Sequence, residues 1–290
     1  MNNLFHDIGY IGTKLTPTRV TFLEKVLMLL DGQMTEPTLY GWFHWLCLLS
    51  LLGACVLVGL KAKQLSDKQF DVTLGLIAGL LLILEVYKQL NHAYNCEEDS
   101  WAFNWRIFPF QFCSTPMYVI ALAVLIKKQS IRDSLYCFLA TYGLFAGAGV
   151  MLYPATVFTE TIGINFQTMI HHGAMVVVAV MLYASGKVPL SHKTALRGIP
   201  VFLILVALAL IMNLLYGQFG NPDYSFNMFF ISPYGEGELP VFTEIQEAVP
   251  YPIFLSLYII SFTIAAFLMP LLAHLFHKAM EKIDKKKTAQ

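Results

Sequence analysis

The sequence predicts an all-α polytopic membrane protein, a bundle of seven spanning helices preceded by an amphipathic interfacial helix. Two compositional facts and one pattern carry this. The chain is 57% hydrophobic with mean hydropathy +0.60. Only 13% of its 290 residues are charged, where soluble domains run nearer a quarter. Apolar runs of about 20 residues, the length that crosses about 30 Å of hydrocarbon, recur along it. Net charge is zero, so there is no bulk field to attract nucleic acid.

In chain order, the first fifteen residues have neither a basic start nor a continuous apolar core, so no secretory leader is expected and the first span serves as the signal. Residues 17–30 read as an interfacial helix, with Thr16 as cap and Pro17 in the first turn. Val20, Leu23, Val26, Leu27 and Leu30 form its apolar stripe, opposite Arg19, Glu24 and Lys25. The seven spans are expected at 41–60, 72–90, 107–126, 134–153, 164–184, 198–217 and 253–273. The expected units are an extracytoplasmic segment over 1–39, a membrane domain over 40–276 and a basic cytoplasmic tail over 277–290.

Lys and Arg set the orientation. The loops after spans one, three and five, with the tail, hold 14 of the 19 basic residues. The positive-inside rule then places the amino terminus outside and the carboxyl tail in the cytoplasm. The loop after span six is acidic and rich in Pro and Gly. It reads either as a solvated loop or as a cover over the outer mouth of the bundle. GxxxG spacings at Gly75/Gly79 and Gly143/Gly147 point to close helix packing.

With this topology, polar residues of four helices fall at similar depth in the outer half. Glu85, Lys88, Gln89 and His92 end span two, and Arg106, Gln111 and Cys113 begin span three. Asn165, Thr168, His171 and His172 begin span five, and Asn213 ends span six. A carboxylate in hydrocarbon costs about 2.5–3.5 kcal/mol on insertion scales, so Glu85 is expected to face inward with a partner. The plain reading is a Glu85–Lys88 pair that fixes helix register, and a buried histidine that is merely hydrogen-bonded. The chemical reading is a Cys113 nucleophile activated by a histidine. His172 is favoured over His171 because it shares a face with Asn165 and Thr168. Gln111, Asn213 or Arg106 would donate to an oxyanion. Gln111 and Cys113 lie about 200° apart on a regular helix, so both face inward only if Pro109 or Pro116 distorts the turn. No metal triad, cofactor motif or CxxC is present, so no metal, cofactor or disulfide scaffold is expected.

Three stretches resemble the YwaF-like membrane protein family, related to transmembrane protein 164. They are Glu85-x-x-Lys88, the run from Phe108 through Pro109, Gln111 and Cys113 to Ser114, and the run from Tyr224 through Asn227 to Phe230 followed by Pro233 and the Pro250–Pro252 segment. The resemblance implies a bacterial inner-membrane location, places Asn227 in the pocket, and implies cysteine-dependent acyl transfer on phospholipids with Cys113 as acyl acceptor. The family's signature histidine is Gln111 here, and glutamine is no general base. Partners are therefore expected to be membrane lipids, with a phospholipid or acyl substrate. A seven-helix sensor or interaction protein and a small-molecule transporter are the alternatives.

Overall fold

The structure, a computed structural model, describes residues 21–95, 100–220, 226–235 and 239–288. The helices are α1 (Phe22–Leu30), α2 (Trp42–Lys61), α3 (Asp67–Ala93), α4 (Thr115–Leu125), α5 (Gln129–Phe138), α6 (Leu144–Leu152), α7 (Ile162–Ala184), α8 (His192–Phe219), α9 (Phe242–Ala248) and α10 (Tyr251–Thr288). A π-helical turn over Leu139–Gly143 joins α5 and α6 into one long helix. The described residues contain six helices long and apolar enough to cross a membrane, so the chain is a multi-pass membrane protein. The α5–α6 helix and α7 form the centre, 67% and 61% buried over their apolar windows, against 11% for α2 at the periphery.

The third expected span is not one continuous helix. Its helical part is α4, 11 residues long, which rises only about 17 Å. Two prolines explain the late start. Pro109 disfavours helical geometry at Phe108, which is extended with ψ 134°. Pro116 is tolerated only in a first turn, where no N–H is required of it, so α4 begins at Thr115. Residues 108–114 are left as turns, with the Ser114 and Thr115 N–H groups both donating to the Gln111 carbonyl.

The amino-terminal helix also departs from expectation. The proposed start at Thr16 and Pro17, with Arg19 and Val20, lies outside the described residues. The described helix begins at Phe22, capped by Thr21 in a reciprocal box with Glu24. Glu24 faces inward, because the Trp101 indole N–H donates to its Oε1 at 3.3 Å. Phe22, Leu23, Leu29 and Leu30 lie on the exposed side. At the other terminus α10 continues without a break to Thr288, past the expected end of the seventh span.

Two ion pairs gather the basic loops at one end of the bundle. Arg132 pairs with Asp71, and Lys187 with Asp67 at 2.5 Å. At the opposite end the segment after α1 pairs with the start of α7, Met34 N–H donating to the Glu160 carbonyl at 2.7 Å. The GxxxG expectation holds in part. A Cβ on Gly147 would lie 2.7 Å from the His172 carbonyl oxygen, whereas one on Gly79 would meet nothing within 4 Å. Gly147 is thus what lets α6 lie against the stretch of α7 that carries His172.

Gly147→Val is expected to cost about 1–3 kcal/mol through overpacking, read as a lower thermal midpoint in detergent. Gly79→Val is expected to stay within about 0.5 kcal/mol. The Thr21 backbone N–H, helped by the Thr21 hydroxyl and Trp101, holds Glu24 below its usual carboxylate range. That contribution is full above the unfolded value of about 4.3 and is lost as pH falls through the lower folded value. The docking of α1 is therefore expected to loosen on acidification below about pH 4. The emission difference between wild type and Trp101→Phe checks this.

Candidate functional site

The site begins with two non-helical segments that hold each other. Irregular backbone at membrane depth persists only where protein satisfies its polar groups. The Gln111 Nε2–H donates to the Asn227 carbonyl at 2.9 Å, and its Oε1 accepts from the Phe229 N–H at 2.9 Å. Asn213, on α8, repeats the arrangement on the next residue. Its Nδ2–H donates to the Met228 carbonyl at 2.9 Å, and its Oδ1 accepts from the Met228 N–H at 2.8 Å. The Asn227 side chain closes the loop internally, accepting from the Ser232 N–H at 2.8 Å. Phe229 and Phe230 sit at φ 59° and 56°, a region bulky residues adopt only when their surroundings over-determine it. Met228, Phe229 and Ile231 are fully buried in the main core. The acidic loop is thus threaded into the bundle at this point, as a plug.

Gln111, Asn213 and Asn227 are therefore brought together, with their amides committed to this loop. In this arrangement Gln111 and Asn213 each hold the loop with one N–H and with the amide oxygen. Gln111 and Cys113 need not share a helix face, because no regular helix exists between them.

On α3 the polar stripe divides. Glu85 is 4% exposed. Its Oε1 receives Lys88 Nζ and Gln89 Nε2, each at 2.8 Å. Gln89 also donates to the Ile107 carbonyl at 2.8 Å, tying α3 to the segment before Cys113. The other carboxylate oxygen, Oε2, is buried with no partner among the described residues. His92 lies on the exposed side, because α3 turns its last residues past the packed part of the bundle. Arg106 is likewise exposed, on a short helical turn at the same end.

Three buried histidines show the difference between structure and site. His44 is satisfied at both nitrogens: its Nδ1 accepts from the Tyr40 N–H at 3.0 Å, and its Nε2–H donates to the Met151 carbonyl at 2.8 Å. His171 and His172, with ring centroids 5.4 Å apart, are each satisfied at one nitrogen only. His171 Nε2 lies 3.1 Å from the Cys113 carbonyl oxygen, and His172 Nδ1 lies 2.7 Å from the Thr168 carbonyl oxygen. A carbonyl only accepts, so those nitrogens carry the protons and the neutral rings are left with bare lone pairs on His171 Nδ1 and His172 Nε2. Both are buried without a partner among the described residues. Thr168 contributes through this carbonyl, and its hydroxyl is turned to Gln167 at 3.3 Å.

Cys113 is a free, half-buried thiol. Sequence reasoning favoured His172, but the ring bonded to Cys113 is His171, because the turn at 111–114 rotates the Cys113 carbonyl towards α7. The residue that sequence reasoning missed is Tyr258, fully buried on α10 with its hydroxyl unpartnered. Within a run of aliphatic and aromatic residues it carries no signal separating it from packing. Among the described residues no group of three or more His, Cys, Asp or Glu is arranged to hold a metal ion.

Replacing Gln111 or Asn213 by Ala strips partners from buried loop backbone and is expected to cost about 1–3 kcal/mol per orphaned group. The check is faster protease cleavage between residues 226 and 235 together with a lower thermal midpoint.

The sequence profile of the TMEM164 family matches residues 39–273. That is most of the chain, and the chain belongs to that family. No curated protein and no solved structure matches it.

Proposed function

We propose that this member of the TMEM164 family is a membrane-embedded enzyme of cysteine-dependent acyl transfer, acting on the acyl ester of a phospholipid. The observation that carries the proposal is the convergence of unpartnered buried lone pairs, on His171, His172 and Glu85, beside one free thiol. Buried acceptors without donors are costly in a structural core, and at a site they are groups ready to take a proton.

In this reading Cys113 is the nucleophile and His171 its base. His171 Nδ1 takes the thiol proton, and the thiolate sulfur bonds to the ester carbonyl carbon. The C–O bond of the ester then breaks, and the leaving lipid alkoxide takes the proton from the imidazolium. An acyl-thioester remains on Cys113. Attack by an alcohol completes a transferase cycle, and attack by water a hydrolase cycle. Glu85, held by Lys88 and Gln89, faces the imidazolium across the low-dielectric interior. Gln111, at the position of the family's histidine, serves as the clamp on the loop.

The proposed topology has seven crossings, the third made of residues 108–114 and α4. The amino terminus lies outside, with the site in the outer half and α1 lying in the interface over the bundle mouth. The ion pairs that draw the basic loops to the opposite end support it. Acyl transfer is preferred over solute passage because Phe70 and Phe138, both fully buried, close the half of the core opposite the site.

Purified protein incubated with a phospholipid carrying a labelled acyl chain is expected to yield a labelled thioester, released by neutral hydroxylamine. Cys113→Ala abolishes it, and His171→Gln slows it by about 10²–10⁴-fold. Wild-type labelling in Cys113→Ala would sink the proposal.

A further inference from the structure

Acyl transfer through a thioester passes through a tetrahedral oxyanion, and such an intermediate needs a hydrogen-bond donor in a dry site. The amides expected to supply it, on Gln111 and Asn213, are both held by the loop backbone. Arg106 is exposed at the end of the bundle. Lys88 is engaged with Glu85.

One buried hydroxyl among the described residues has no other task. Tyr258 is 0% exposed, yet its hydroxyl has no partner among the described residues. The other buried tyrosines show how unusual this is. Tyr142 meets the Thr263 hydroxyl at 3.1 Å, and the Tyr136 hydroxyl accepts from Arg132 Nη2 at 2.6 Å. A buried phenol left bare costs free energy, and a hydroxyl that only filled space would be replaced by phenylalanine without loss.

Tyr258 also reaches the right place. Its ring stacks on Phe262, with centroids 4.2 Å apart, and Phe262 packs edge-on against Phe112, the residue before Cys113, at 5.0 Å. Phe242 and Phe254 also pack against the ring, so aromatic neighbours fix the position of the phenol.

We infer that Tyr258 is the oxyanion donor of the site, its O–H directed at the oxygen of the acyl group under attack by Cys113. The inference rests on the acyl-transfer reading. As the C–S bond forms, the carbonyl π pair moves onto oxygen and accepts the Tyr258 hydrogen bond. When the C–O bond breaks that pair returns to the carbonyl, and Tyr258 keeps its proton throughout.

The test compares two reactions of Cys113 in wild type and Tyr258→Phe: thioester formation from a labelled phospholipid, and alkylation by iodoacetamide, which forms no oxyanion. The expected result is thioester formation slowed by about 10²–10³-fold, with alkylation and thermal midpoint unchanged. Thioester formation at the wild-type rate would overturn the inference and leave the acyl-transfer reading standing. A parallel fall in both reactions would overturn it too, showing that Tyr258 only positions the thiol. A wild-type protein that forms no thioester would overturn both.

Discussion

The fold depends on one constraint: polar backbone at membrane depth must find its partners inside the protein. Most of this chain meets it with helices, which satisfy their own N–H and C=O groups. Two segments do not, the turns at 108–114 and the loop at 226–232, and side chains satisfy them, with Gln111 of the first among those that hold the second. Gln111 and Asn213 each present an amide whose donor and acceptor match those of the loop backbone. Tyr251 adds a third clamp, donating to the Ile231 carbonyl at 2.7 Å.

The clasp has consequences for everything near it. It frees Cys113 from a helix, where its carbonyl would be bonded four residues on, and offers that carbonyl to His171. It threads Met228, Phe229 and Ile231 into the core, so the interior beside the site is packed. It also fixes the tautomer of His171, since a ring nitrogen that donates to a carbonyl leaves the other nitrogen of the neutral ring unprotonated. His44, equally buried, shows the other outcome: with a donor on one side and an acceptor on the other, it is structural.

Much of this was legible in the sequence. Apolar runs of spanning length predicted the helices, and the grouping of Glu85, Lys88, Cys113 and His171 near one end predicted where polar groups collect. Pro109 and Pro116 flagged a distortion. The size of that distortion was not legible, because a proline disfavours the helix only locally, and whether the chain then breaks depends on a partner for the released backbone. Here the carbonyls of Ile107, Pro109 and Cys113 find Gln89, Tyr118 and His171, and the loop that Gln111 clasps lies more than 100 residues away, with a composition that suited solvent equally well. His92 was misplaced and Tyr258 passed over for related reasons. Helical spacing assigns a face without saying where the neighbours stop, and a tyrosine amid aliphatic residues looks like packing until its hydroxyl is seen to have no partner.

By itself the sequence determined the class of protein, the approximate position of its helices and the end of the bundle where its polar groups gather. These follow from transfer free energies and helical periodicity, which act residue by residue. Only the tertiary structure decided which amides hold a loop, which histidine meets Cys113 and which buried polar atoms remain without partners. Hydrogen bonding is directional and each group is used only a few times, so availability for chemistry is settled by what every neighbour has already taken.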